Sequence, residues 1–186
     1  MTYKTIYQFS ILTAILILLY SCMPMATSTI IGGQYEAKTN TTDYFVLPLG
    51  GVSLPGKWTK TRYSNVSGQQ WFKNPDSVSV AIAFTQCNRY EFYKKELKDF
   101  SFVKAYYEWD AKYLAKAYNI QDTILLADTT NNYIVWRLWG NNKGLEINSY
   151  YLFGYKNCSV HNFYVSTDKW TQEQKVQFLQ DLYLKK

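Results

Sequence analysis

The residues with the most restrictive chemistry in this 186-residue chain are three cysteines and one histidine. No closely spaced pair of cysteines accompanies His161, so the ligand spacing of a familiar zinc site is absent and we expect no metal. Ser159 and His161 would share one strand face about 7 Å apart, which is too far for the hydrogen bond between a nucleophile and its base. We therefore expect His161 to be structural or solvated.

Paired carboxylates would offer a different chemistry. Glu108 and Asp110 are two residues apart on a predicted helix, so their side chains point to different faces. We expect both to be solvated or paired with Lys104 and Lys112. The sequence thus predicts no catalytic residue, no cofactor and a protein that is not an enzyme.

The N-terminal segment has the layout of an export signal. Residues 1–8 carry one positive charge, Lys4, and the apolar run over residues 11–20 is too short to span a bilayer. Residues 19–22, Leu-Tyr-Ser-Cys, follow this run and resemble the lipobox of bacterial lipoproteins, although Tyr20 departs from its usual small residue. The resemblance implies lipid attachment at Cys22; the alternative is an uncleaved membrane helix with a chance cysteine.

This interpretation predicts a signal peptide over residues 1–21, a lipidated tether over 22–42 and one domain over 43–186. Surface lipoproteins of the Bacteroidota often carry an acidic cluster after the cysteine, and residues 23–33 have no charge. We therefore expect an outer-membrane protein that faces the periplasm, held to the membrane by its lipid anchor. The net charge is +6, but the basic residues are scattered, which argues against nucleic-acid binding.

The hydrophobic periodicity predicts strands, a long helix, a four-strand meander and a terminal helix. The long helix is expected over residues 102–118, with an apolar stripe that includes Tyr106 and Trp109, and the terminal helix over 172–184. The meander strands are expected over residues 123–127, 133–139, 145–153 and 158–166, and a simple hairpin register places Tyr150 opposite His161. These strands are apolar on both faces, so both need cover.

This element order resembles the PsbP-like domains that occur in bacterial lipoproteins of the DcrB type. The resemblance covers roughly residues 44–184 and no signature motif supports it. It implies an α+β fold, an antiparallel β-sheet flanked by helices in an α/β/α sandwich with a C-terminal helix, and binding or scaffolding rather than catalysis.

Two cysteines remain once Cys22 is lipidated. Cys87 and Cys158 form an even pair in an oxidising compartment, so they are candidates for a disulfide. The alternative is two buried thiols, and spacing alone does not decide between them.

Other side chains suggest modification or binding. The triplets that begin at Asp76, Asp122 and Asp128 resemble a short O-glycosylation motif of Bacteroidota envelope proteins, with Ser77, Thr123 and Thr129 as acceptors. Tryptophans 58, 71, 136 and 139 could stack on sugars or a peptide, although tryptophan on strands usually packs in the core.

These features favour a non-catalytic envelope module that binds a protein or glycan partner, with an immunity-type protein as one variant. A hydrolase of envelope polymers is one alternative, and two carboxylates facing each other in a cleft would favour it. The other alternative is a structural subunit of an envelope complex, which predicts a large exposed apolar patch instead of a pocket.

Overall fold

A computed structural model describes residues 29–185 of the chain. Within this range the chain forms eleven strands, which pair into two antiparallel sheets, two α-helices and a short 3-10 helix over Cys87–Arg89. The strands are β1 (Ile30–Gly32), β2 (Tyr35–Glu36), β3 (Thr41–Leu47), β4 (Gly50–Pro55), β5 (Thr59–Tyr63), β6 (Gln70–Lys73), β7 (Ser79–Gln86), β8 (Gln121–Asp128), β9 (Tyr133–Asn142), β10 (Leu145–Lys156) and β11 (Ser159–Ser166). The helices are α1 (Asp99–Tyr118) and α2 (Gln172–Leu184).

The large sheet has seven strands in the order β5-β6-β7-β11-β10-β9-β8. The predicted meander is confirmed as β8 to β11, because short turns join strands of matching apolar pattern. Pairing of β7 with β11 then brings the early strands beside the last one, with Thr85 opposite Val160. This long-range contact closes the sheet into one unit.

The small sheet has β3 at its centre, with β4 on one side and β1 and β2 on the other. Thr42, Tyr44 and Val46 alternate toward the large sheet and are buried. At Gly50, an added Cβ would lie 2.6 Å from the ring of Phe84. The missing side chain therefore lets the two sheets approach closely.

The two faces of the large sheet have different cover. The small sheet and α2 cover one face, where Phe163 and Leu179 are among the buried residues. Helix α1 covers the other face, where Phe102, Tyr106 and Trp136 belong to a second apolar cluster. Burial of both faces explains why the meander strands are apolar on both sides.

The predicted fold class is wrong. The chain is not an α+β protein of the PsbP-like α/β/α type; two antiparallel sheets dominate, and the architecture is closer to a β-sandwich. The missing element was the small sheet, in which β1 and β2 have only three and two residues and β4 begins with two glycines and ends in proline. Its first two strands, β1 and β2, lie within the range assigned to the tether, so folded structure begins before Asp43.

The helices were predicted at nearly the right places, but one buried face was wrong. Helix α1 buries Phe102 and Tyr106 as expected. Its other buried residues are Val103 and Ala111, whereas Trp109, which belongs to the predicted stripe, is exposed. For α2, the capping box of Thr171 and Gln174 is confirmed: each side chain binds the backbone N–H of the other residue.

Candidate functional site

A cavity of about 490 Å³ lies beside α1, on the helix-covered face of the large sheet. Helix α1 forms one wall, strands β7, β10 and β11 form the floor, and the turn between β5 and β6 closes one end. The cavity is lined by Val66, Ser67, Gln69, Trp71, Thr85, Arg89, Tyr90, Glu91, Tyr106, Trp109, Asp110, Leu114, Tyr151 and Asn162. Aromatic walls with a few converging polar groups are typical of a ligand site.

The walls are built from packed aromatic rings. Tyr106 stacks on Phe153 of β10 with ring centroids 4.1 Å apart, and Tyr90 lies 4.8 Å from Tyr106. Trp71 packs against Tyr164 of β11 at 4.9 Å. These contacts fix the ring positions before any ligand arrives, which lowers the entropic cost of binding.

Asn162 supplies an unpaired polar group at the floor. Its side chain is buried, and its amide nitrogen donates to the hydroxyl of Tyr106 at 2.8 Å. Its amide oxygen has no hydrogen-bond partner among the described residues. Rotating the amide by 180° exchanges oxygen and nitrogen, so one polar group stays unpaired in either orientation. Burial without a partner costs about 1–3 kcal/mol, which a ligand hydrogen bond would recover.

Hydroxyl groups continue the polar floor. The hydroxyls of Thr85 and Tyr90 are 2.7 Å apart and form one hydrogen bond. Burial raises the pKa of Tyr90, of Tyr106 and of Tyr151, so all three phenols stay protonated at neutral pH. They can donate to or accept from a ligand without carrying charge.

Asp110 is the carboxylate that lines this cavity from α1. Burial raises its pKa to about 6, since the aromatic surroundings disfavour the charged form. Its charge also raises the pKa of Tyr90, Tyr106 and Tyr151, which places the carboxylate near these phenols. The expectation that Asp110 is solvated or paired with lysine is therefore wrong, because α1 turns this position toward the sheet.

Two charged residues stand at the mouth of the cavity on the segment that follows β7. Arg89 and Glu91 both line it and are exposed, and the indole N–H of Trp109 donates to the carboxylate of Glu91. Arg62 does not line the cavity, but its guanidinium lies 4.2 Å from the ring centroid of Trp71, which does. The mouth itself therefore carries one cationic and one anionic side chain.

His161 and Ser159 do not form a catalytic pair. Gly154, rather than Tyr150, is opposite His161, because the turn between β10 and β11 is shorter than predicted. The imidazole is buried against Phe84 and Tyr183. The Ser159 hydroxyl instead donates to the carbonyl of Leu49 in the turn between β3 and β4. The structural interpretation of His161 is confirmed.

Burial of His161 predicts acid sensitivity. Its pKa is lowered to about 3, first by desolvation and then by the nearby charges of Lys156 and Lys185. As the pH falls below 6.5, the unfolded chain takes up a proton that the folded chain refuses, so the free energy of unfolding decreases. Replacing His161 by leucine is expected to remove about 2 kcal/mol of the loss between pH 6.5 and pH 5.

Urea unfolding of wild type and His161→Leu at both pH values measures this effect. Lys156 and Lys185 stay in both proteins, so the comparison isolates the imidazole. Equal losses in the two proteins would assign the acid sensitivity to other groups.

Cys87 and Cys158 are joined by a disulfide, with their Cα atoms 4.9 Å apart. Cys87 begins a short 3-10 helix after β7, and Cys158 lies in the turn before β11. The backbone N–H of Cys87 also donates to the carbonyl of Cys158 at 2.9 Å. The bridge thus holds the segment that carries Arg89 and Tyr90 against the sheet.

The remaining predicted positions are apart from the cavity lining. Ser77, Thr123 and Thr129 are exposed, as acceptors of a glycan would have to be. The proposed lipid attachment at Cys22 lies outside the described residues.

The tryptophans divide into core and surface positions. Trp58 and Trp136 are buried in the core, as the core interpretation predicted. Trp71 lines the cavity, and Trp139 is exposed on β9, where its N–H donates to Thr123. Trp109, which was assigned to the buried stripe, is instead a cavity residue. Sequence reasoning missed this because the apolar periodicity of α1 fits several neighbouring faces.

A larger groove of about 750 Å³ is lined by the small sheet and the C-terminal part of α2. Its one lining carboxylate from the small sheet, Asp43, already accepts a hydrogen bond from Ser53 at 2.6 Å. The lining carboxylate from α2, Asp181, accepts from the side chain of Gln177 at 2.8 Å, so both carboxylates of this groove are already hydrogen-bonded.

Within residues 29–185, no helix is long and apolar enough to cross a bilayer. In the same range, His, Cys, Asp and Glu side chains form no group of three that could hold a metal ion. Neither a scan of protein-family models nor a search of curated proteins finds a match to this sequence.

Proposed function

We propose that this protein is a lipid-anchored component of the bacterial envelope whose domain binds a saccharide, without catalysis, in the cavity beside α1. The anchor is supported by the apolar run of residues 11–20 and the Leu-Tyr-Ser-Cys sequence that ends at Cys22. The binding role is supported by one observation above all: the buried, unpaired amide of Asn162 at the floor of an aromatic cavity.

The chemistry of the cavity suits a polyhydroxylated ring. A sugar offers an apolar C–H face to the rings of Trp71 and Trp109, and hydroxyls that both donate and accept. Asp110 and Asn162 can accept from these hydroxyls, and Arg89 can donate to them. A site with buried polar groups of both kinds discriminates strongly against ligands that leave them unpaired.

The charges at the mouth argue against a cationic ligand. Aromatic rings beside a carboxylate can bind an ammonium group through cation–π contacts. Here Arg62 already lies over the ring of Trp71, and Arg89 lines the same cavity as the carboxylates of Glu91 and Asp110. An incoming cation would compete with these two guanidinium groups, and a neutral ligand would not.

Trp109 and Trp139 provide a matched pair of variants. Their exposed fractions are 38% and 36%, but only Trp109 lines the cavity. We expect Trp109→Ala to weaken saccharide binding by about fivefold, since a stacked aromatic contact contributes roughly 1 kcal/mol. Trp139→Ala should leave the affinity unchanged.

The measurement has two steps. A printed array of neutral and acidic oligosaccharides first identifies a ligand for the purified wild-type protein, and calorimetric titration then compares wild type with both variants. Thermal unfolding confirms that each variant is folded. Equal losses in the two variants, or no array signal above a denatured control, would refute the proposed site.

The anchor has a separate test. Cells grown with radiolabelled palmitate should label the wild-type protein, and Cys22→Ala should abolish both labelling and signal processing. Unchanged membrane attachment and processing in Cys22→Ala would refute lipidation at this residue.

A hydrolase of envelope glycans is the second candidate, favoured by the presence of two carboxylates in one cavity. Asp110, with its raised pKa, has the property of a general acid, and Glu91 could act as the second carboxylate. Binding is preferred because Glu91 is exposed and already accepts from Trp109. Release of nitrophenol from nitrophenyl glycosides by wild type, and its loss in both Asp110→Asn and Glu91→Gln, would reverse this preference.

A further inference from the structure

The edge of the small sheet nearest the N-terminus carries exposed aliphatic side chains. Ile30, Ile31 and Leu47 have exposed fractions of 58%, 50% and 46%. Ile30 is directly opposite Leu47 in the pairing of β1 with β3, so the two side chains stand side by side. Ile30, Ile31 and Leu47 make up the β1 edge.

The position of the β1 edge along the chain suggests what covers it. Eight residue steps separate Cys22 from Ile30. A fully extended chain covers at most about 3.5 Å per residue, so an acyl group on Cys22 keeps Ile30 within about 28 Å of the bilayer. The exposed aliphatic side chains are therefore at the anchored end of the domain.

The charges around the β1 edge suit a phospholipid surface. The ammonium of Lys60 donates to the carbonyl of Gly33 at 2.9 Å, and that of Lys57 lies 5.8 Å from the ring of Tyr35. Both lysines thus flank the turn after β1. The same sheet carries two carboxylates, Glu36 and Asp43, and a third lysine, Lys38, in the turn between their strands, so lysines outnumber carboxylates here. Lysines beside aliphatic residues can bind headgroup phosphates while the aliphatic side chains enter the interface.

We propose that the β1 edge lies on the bilayer surface and fixes the orientation of the domain on its membrane. This inference rests on the proposed lipid anchor at Cys22. The anchor alone holds the protein near the bilayer. Insertion of the Ile30 and Leu47 side chains into the bilayer interface selects one orientation, because it removes apolar surface from water. The surface partner is an anionic phospholipid headgroup region.

The test is hydrogen exchange measured by mass spectrometry on the mature protein in vesicles of phosphatidylethanolamine and phosphatidylglycerol. Amides of β1, of residues 45–47 and of Leu49 are expected to exchange at least about tenfold more slowly in vesicles than in detergent, which corresponds to 1.4 kcal/mol. Strand β8, an edge of the large sheet, serves as the internal reference.

A matched pair of double variants isolates the aliphatic contacts. Ile30→Ser with Leu47→Ser should abolish the slower exchange, and Ile124→Ser with Leu145→Ser, also at exposed positions, should retain it. Because all four side chains are exposed, neither double variant is expected to unfold. Vesicles without phosphatidylglycerol should show less protection of β1.

Each other outcome contradicts a distinct part of the inference. An acylated protein whose β1 is protected no more than β8 would overturn the orientation but leave the anchor intact. Protection that depends on protein concentration, with twice the mass in light scattering, would assign the β1 edge to a second copy of the chain. A mature protein whose intact mass lacks acyl groups would overturn the anchor and the orientation with it.

Discussion

Replacing Cys87 and Cys158 together by serine is expected to lower the free energy of unfolding by about 4 kcal/mol. The two cysteines are 71 residues apart, so the disulfide removes a large amount of conformational freedom from the unfolded chain. The loop that the bridge closes contains all of α1 and strands β8, β9 and β10 of the meander. The loss would be a large fraction of the total stability of a domain of this size.

The same double variant should also bind a saccharide less tightly in the cavity. Cys87 is directly before the segment that carries Arg89 and Tyr90, two lining residues. Without the bridge this segment keeps its hydrogen bond between the backbones of residues 87 and 158 but loses its covalent restraint. Saccharide affinity is therefore expected to fall even at temperatures where the variant is folded.

Urea unfolding of the oxidised wild type, the reduced wild type and the double variant measures this contribution. The reduced wild type is the matched control, since it keeps both sulfur atoms and lacks only the bond. If the free energy of unfolding of the double variant is within about 1 kcal/mol of that of the oxidised wild type, the unfolded state or the remaining contacts compensate for the bridge.

Local sequence patterns were sufficient to predict most strands of the large sheet and both α-helices. The capping box at Thr171 and Gln174, and Asn119 in a left-handed conformation at the end of α1, act within a few residues of the elements that they terminate. Such signals do not depend on the rest of the fold. The turn at Asn131 and Asn132 was predictable for the same reason.

The small sheet could not be predicted in the same way, because it is stabilised by contacts that no local sequence pattern reveals. Its central strand alternates at Thr42, Tyr44 and Val46, but its neighbours contain glycine and proline and are too short to be recognised alone. Gly50 reads as a turn signal, whereas in the structure it makes room for Phe84 of the other sheet. The second sheet therefore became evident only from packing.

The cavity was missed because its residues are brought together from distant strands and α1. One signal was available: Asn162 interrupts a strand whose other residues include Val160, Phe163 and Val165. A polar amide in the middle of an apolar strand requires a buried partner or a ligand. Its place in the same cavity as Asp110 could not be predicted, because strand order and the rotation of α1 about its axis decide it.

Replacing Asp110 by asparagine is expected to stabilise the fold at neutral pH while weakening saccharide binding. The pKa of Asp110 is about 6 in the folded state and has a reference value of 3.8, so the folded chain holds this proton more tightly. The free energy of unfolding therefore falls as the pH rises from about 4 to about 6, and the penalty is complete above that range. Asparagine removes the charge, and we expect a gain of about 2–3 kcal/mol at pH 7.5 that disappears near pH 4.

The proposed saccharide site gives a reason for keeping a residue that costs stability. Among the described residues no charged group lowers the pKa of Asp110, and carboxylates in such surroundings are common in active and binding sites, where their acceptor oxygens serve a ligand. Glu108→Gln is the matched control, since Glu108 is two residues away on α1 and exposed. It should change neither stability nor binding.

The effects of His161 and Asp110 can be separated because they change the free energy of unfolding in opposite directions as the pH rises. Between pH 4 and pH 6, neutral His161 makes the wild type more stable as the pH rises, and ionising Asp110 makes it less stable. Asp110→Asn should therefore steepen the rise of stability with pH, and His161→Leu should reverse it. If Asp110→Asn instead lowers stability at pH 7.5, the carboxylate has a stabilising partner in solution, and its raised pKa no longer supports a ligand site. If it raises stability without weakening saccharide binding, Asp110 lies outside the ligand contacts, and Asn162 alone must carry the polar recognition.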